Sequence, residues 1–315
     1  MKPSPSPLLH LFAVVISLAL VGVIAATAGS LAGYEIVGPA EPFDYPWRLV
    51  SPDGWSRASA WVGYALHNLS AWFLIAAARR TKGYSAKMRW FNWAMLAVHL
   101  AGFGLHWLQC QLWYDGLAQD VPEVSALGSV ALMLIVVILL ETPRRGFVLG
   151  HKLRFDKRFI ALCREYHGYL FSWALIYTFW YHPMVDTPGH LVGFFYMLVL
   201  LSQSVLLMHR SHLNRRWTFA LEFLVLPHGV VVAMTQSETL WTMFAGGFGM
   251  VFVLTQAYGL GLTSNARRVV QAIALSLLFG MYIASERLGS FHEMVRIPLI
   301  NYGVALGLFA LWWLV

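Results

Sequence analysis

Charge is scarce in this chain, and acid is the scarcest part of it. Of 315 residues only 15 are Asp or Glu and 22 are Lys or Arg, so 12% of side chains are charged while 58% are hydrophobic. A soluble domain must cover itself with more polar surface than that, which excludes a water-soluble fold. Cysteine is nearly absent as well. Cys110 and Cys163 both fall in apolar stretches, on segments expected to be different helices at opposite depths, so no disulfide framework is expected.

Several catalytic motifs are missing too. No His-Glu-x-x-His, Gly-x-Ser-x-Gly or Gly-x-x-x-x-Gly-Lys occurs, which removes the common zinc protease, serine hydrolase and phosphate-loop readings. No two histidines are adjacent, so the paired-histidine boxes of membrane di-iron hydroxylases and desaturases are lacking. The net charge of +7 does not imply nucleic acid. The basic residues sit in short clusters between apolar runs, where orientation signals belong.

What is present is apolar runs in succession. A bilayer core of roughly 30 Å needs about 20 residues of helix. On that criterion the expected fold is an all-α, polytopic transmembrane bundle of about ten spans. The spans are expected near 8–32, 57–78, 90–113, 122–141, 159–182, 188–209, 217–236, 240–262, 268–288 and 297–315. The first run is read as a span and not a secretory leader, because it exceeds the usual apolar core of about 7 to 15 residues. Arg79, Arg80, Lys82, Lys87 and Arg89 fill one connection, and Arg144, Arg145, Lys152, Arg154, Lys157 and Arg158 another. Arg210, Arg215 and Arg216, then Arg267 and Arg268, continue the alternation, which places these loops and both termini in the cytoplasm. The opposite connections carry Asp115, Asp120, Glu123, Asp186 and Glu238. A multi-pass protein of a bacterial inner membrane is the expected setting. The whole chain, 1–315, reads as one integral membrane domain.

Ionisable groups cost several kcal/mol inside a bilayer and are functional candidates by default. Nine of the twelve histidines lie on or beside spans two to seven, so 57–236 reads as the functional core and 240–315 as scaffold. His99 and His106, seven apart, share a helical face that Cys110 extends. His182 and His190 flank a turn where they can approach each other. The sixth span carries Tyr196, Gln203 and Arg210 at intervals of seven, with Ser202 and His209 beside them. In "MHRSHLNRRW", residues 208–217, His209 and His212 share a face if the helix runs on through the arginines.

At one depth these assignments collect Glu165, His167, His209, His212 and Glu222, a donor set suited to zinc or non-haem iron. The leading expectation is a metal-dependent membrane oxidoreductase or hydrolase acting on a lipid-like or quinone-like substrate. Glu165 or Glu222 would be ligand or general base. His67, His99, His106 and His228 form a second group that could ligate haem in an electron-transfer protein. The third reading is a proton-coupled transporter, since buried His and Glu titrate near neutral pH and can relay protons. The lipid bilayer, a hydrophobic small molecule and another membrane protein are the expected partners; no nucleic-acid site is expected.

Overall fold

The computed structural model describes residues 7–38, 45–236 and 240–314, and these residues contain helices and turns with no strand longer than an isolated bridge. Eleven α-helices follow in order: α1 Pro7–Thr27, α2 Gly54–Arg79, α3 Trp90–Trp113, α4 Glu123–Arg145, α5 Lys157–Tyr181, α6 Pro188–Val205, α7 Arg215–Phe223, α8 Val225–Gln236, α9 Leu240–Leu254, α10 Ser264–Ala284 and α11 Arg296–Trp312. Seven helical segments among them are long and apolar enough to cross a membrane: α1 with its 3₁₀ extension, α4, α6, α7 with α8, α9, α10, and α11 with the turns before it. The protein is therefore an integral, multi-pass membrane protein. Glu238, expected in a connection, lies outside the described residues.

The chain divides into two compact units, Met1–Val130 with Gly168–Asn214, and Ala131–His167 with Arg215–Val315. In the first, α2 packs on α3 and α6 packs on both α1 and α3. Its helix starts are set locally. Asp53 caps α2 by accepting the Ser56 N–H at 2.6 Å, and Thr187 caps α6 with Pro188 in its first turn. Arg57, one turn into α2, pairs with Asp115 at 2.9 Å and also with Asp120, which fastens the 114–123 connection. Before α2, residues 35–37 pair with residues 48–50, Val37 N–H donating to the Arg48 carbonyl (2.8 Å) and Val50 N–H to that of Glu35 (3.1 Å).

The second unit is built around Ile135, Ile138, Leu139, Phe159, Ile160 and Tyr302. Gly246, Gly247 and Gly249 on α9 allow Tyr282, Ile297 and Leu278 to press against its backbone. α7 stops at Phe223 and α8 starts at Val225 because Pro227, four residues on, has no N–H for the Phe223 carbonyl. Arg145 and Glu222 form an ion pair at 2.5 Å with both side chains buried.

One expectation about α6 is overturned. The helix ends at Val205, so His209, Arg210 and His212 do not continue its faces. Asn92 of α3 donates to the Val205 (2.6 Å) and Leu207 (2.8 Å) carbonyls, and Met208 turns the chain with φ +53°. The strand-like pairing that follows joins Ser85 to Met208 and Arg210, at 2.9 Å each way. Side-chain capture of the last carbonyls satisfies groups that another helical turn would otherwise have satisfied.

Candidate functional site: a file of buried histidines

The first unit gathers five histidines, a tyrosine and a tryptophan. α2 supplies His67, α3 supplies His99 and His106, and α5 supplies Trp180 near its end. His182 follows α5, and α6 carries His190 near its start and Ser204 near its end. His67, His99, His106 and His190 are buried, and so are Trp180 and Tyr45. From His190 to Ser204 is 14 residues of α6, about 21 Å at 1.5 Å per residue, a large part of a bilayer core.

Hydrogen bonds give one part of the file a direction. Trp180 Nε1–H can only donate, and it meets His67 Nδ1 at 3.2 Å. Neutral His67 then carries its hydrogen on Nε2, which faces His99 Nδ1 at 2.9 Å. His99 in turn carries its hydrogen on Nε2 and donates to Ser204 Oγ at 2.6 Å. Ser204 passes its own hydrogen to the Leu201 carbonyl at 2.7 Å. The tautomers are assigned from this network, and only one assignment satisfies every member as a neutral group.

Two glycines make the packing feasible. A Cβ on Gly102 of α3 would sit 2.5 Å from His67 Cε1, and one on Gly63 of α2 would overlap the Trp180 ring. The sequence places glycine where each ring crosses a neighbouring backbone.

His106 lies against Trp180, with ring centroids 4.4 Å apart, and faces two acceptors. Its Nδ1 is 3.1 Å from Gln109 Oε1 and its Nε2 is 2.9 Å from the His182 carbonyl. Two acceptors suit an imidazolium. A neutral ring is satisfied when the Gln109 amide turns over to offer Nε2, which is buried without a partner as placed. The neutral ring is therefore satisfied in this buried pocket.

The other end of the file is closed by Tyr45, from the connection before α2. Its hydroxyl is 2.6 Å from His190 Nε2 and 2.8 Å from His182 Nδ1. Thr187 Oγ1 meets His190 Nδ1 at 2.7 Å, and donation by that hydroxyl leaves the His190 hydrogen on Nε2, directed at Tyr45. Tyr45 then donates to His182. The His182 and His190 rings stand 5.4 Å apart, edge to face, as their flanking positions in sequence anticipate. Tyr45 lies outside the helices, and burial raises its phenol well above the usual value near 10. It therefore stays protonated at any physiological pH.

The donor set expected for a metal is placed differently. Glu165, His167 and Glu222 belong to the second unit, and His209 and His212 to the first. His209 accepts the Ser211 N–H at Nδ1 (3.1 Å) and donates from Nε2 to the Ala86 carbonyl (3.0 Å). His212 Nδ1 meets the Gln203 carbonyl at 3.1 Å while Gln203 donates to the His212 carbonyl at 3.0 Å. These two histidines latch the turn after α6. Glu222 is held by Arg145, and His167 Nδ1 meets its own helix at the Arg164 carbonyl, 2.7 Å away. Among the described residues, no three His, Cys, Asp or Glu side chains stand close enough together to hold a metal ion.

Of the four histidines expected at a haem, His228 is on α8 in the second unit. The other three share the first unit, but both ring nitrogens of each are engaged as described. Axial ligation would require breaking those bonds, so this arrangement does not fit the group.

Tyr45, Trp180, Ser204 and Gly63 are the members that the sequence reading missed, whereas Gly102 is a small residue from which close helix packing is expected. Tyr45 sits in a proline- and aromatic-rich connection where a membrane-interface role is the ordinary expectation, and Ser204 is the penultimate residue of α6. Comparison with known proteins gives no match, whether to a family model, a curated protein or a solved structure.

Proposed function

We propose that the protein is a proton-conducting membrane protein of the proton-coupled transporter class, and that the histidine file of its first unit is the relay. The observation that carries this reading is the directional link from His67 through His99 to Ser204, whose tautomers Trp180 fixes by donating to His67. Imidazole accepts a proton on one nitrogen while releasing one from the other, so the linked pair His67 and His99 can pass charge by exchange of bonds, without any group travelling.

In this reading α2, α3 and α5 cross the membrane together with the seven more apolar segments, giving ten spans. Their lower hydropathy comes from polar residues such as Arg57, His67 and Asn68 on α2, Asn92, His99, His106 and Gln109 on α3, and Arg164, Glu165 and His167 on α5. The basic loops, and with them both termini, face the cytoplasm, so Tyr45 lies at the outer end of the file and Ser204 toward the inner end. The inner membrane of a bacterium is the setting we propose.

Metal-dependent chemistry on a hydrophobic substrate, the leading expectation from sequence, has less support, because the pairings above already engage its ligands. Two measurements test the choice. Purified protein in vesicles should take up protons when a potassium diffusion potential is imposed, read by an internal pH dye. Uptake no faster than in protein-free vesicles overturns the relay. Stoichiometric iron or zinc, with activity lost in chelator, would restore the metal reading.

A further inference from the structure

A cavity of about 160 Å³ opens beside the outer end of the file, lined by Tyr45, Arg48, Gln119, Asp120, Glu123 and Tyr181 among others. Its walls are fixed in place. Gln119 bonds the Leu49 N–H and carbonyl at 3.1 Å each, Arg48 Nε donates to the Tyr45 carbonyl at 3.2 Å, and Asp120 accepts the Trp61 indole N–H at 2.6 Å. Such a space is roomy and polar enough for several ordered waters. Tyr45 belongs to this wall and also to the file, since its hydroxyl touches both His182 and His190.

From this juxtaposition we infer that the cavity is a water-filled proton vestibule and that Tyr45 is the relay group joining its water to the histidines. The inference deepens the proposed function and rests on it. The step balances as an exchange. A hydronium in the vestibule gives one proton to Tyr45 Oη while the original Tyr45 O–H bond breaks toward His182 Nδ1. The water is left neutral, Tyr45 is a neutral phenol before and after, and His182 becomes imidazolium. No phenolate forms, which agrees with a hydroxyl buried where its anion is disfavoured. Glu123, a buried wall residue at the start of α4, is placed to hold positive charge in the vestibule as it forms.

Tyr45→Phe keeps the ring that packs on Trp47, Tyr181 and His182 and removes only the hydroxyl. In vesicles, proton uptake by this variant should fall at least tenfold from the wild-type rate. Because a loss of this kind could also follow from misfolding, a second arm acts after folding. Val121, also in the wall, is replaced by Cys and treated with a bulky, membrane-impermeant cationic thiol reagent. Uptake should fall on treatment and recover on reduction, while treated wild type, with Cys110 and Cys163 only, should not change. Wild-type-like flux in Tyr45→Phe, or in fully labelled Val121→Cys, overturns the vestibule while leaving the histidine relay standing. Absence of uptake in wild type overturns the relay itself.

Discussion

Gly102→Ala is a one-methyl perturbation whose cost can be worked from the geometry. The added carbon would lie 2.5 Å from His67 Cε1 and 2.8 Å from Cγ. The ring cannot swing freely, because Trp180 holds one nitrogen and His99 the other. Overpacking a tight site costs about 1–3 kcal/mol. Each buried hydrogen bond broken with its partner left unsatisfied adds about 1–3 kcal/mol. Alanine returns roughly 0.5–1 kcal/mol of helix propensity, so the net expectation is about 2–5 kcal/mol of destabilisation with reduced proton uptake. Gly104→Ala, two residues along the same helix, is the control, since nothing lies within 4 Å of its Cβ. It should be neutral or slightly stabilising. Thermal unfolding of both variants in one detergent decides the matter. Equal midpoints for the two would refute the close approach of His67 to α3.

Three further outcomes follow. Tyr45 has a raised phenol value in the fold, so its contribution to stability is complete below about pH 10 and fades as pH rises through the raised value; unfolding curves above pH 10 should show an alkaline loss that Tyr45→Phe diminishes. Removing one partner of the buried Arg145–Glu222 pair, as in Glu222→Leu, should cost about 3–5 kcal/mol, whereas the double change Arg145→Met with Glu222→Leu should recover most of it, which thermal unfolding can check. Thr187→Ala removes the α6 cap and the partner of His190 Nδ1, and should cost about 1 kcal/mol while slowing proton uptake, as paired unfolding and flux measurements would show.

The helical segments were legible because their signal is one-dimensional: apolar runs of bilayer length, broken by arginine clusters. Periodicity also placed His99 and His106 on one buried face of α3, and the Pro183 turn brought His182 toward His190. The end of α6 was not legible. Spacing gives His209 and His212 a common face only if the helix persists, and what stops it is tertiary, the Asn92 side chain taking two carbonyls from 113 and 115 residues away. Depth was a poor guide for the metal set for the same reason. Glu165, His167 and Glu222 share a depth with His209 and His212 on paper, yet each of the four for which a bond is described, all but Glu165, bonds to a protein group close to it. Tyr45 could not be found from periodicity, because it reaches the site from a connection and its partners lie 137 and 145 residues on.

The central claim is that protons pass through His67 and His99. The double variant His67→Phe with His99→Phe keeps aromatic volume at both positions and removes every exchangeable ring hydrogen between Trp180 and Ser204. In vesicles with matched protein content, under an imposed potassium diffusion potential, its proton uptake should fall to the protein-free rate while wild type exceeds that rate severalfold. Uptake by the double variant at the wild-type rate, with the protein folded, would contradict the account.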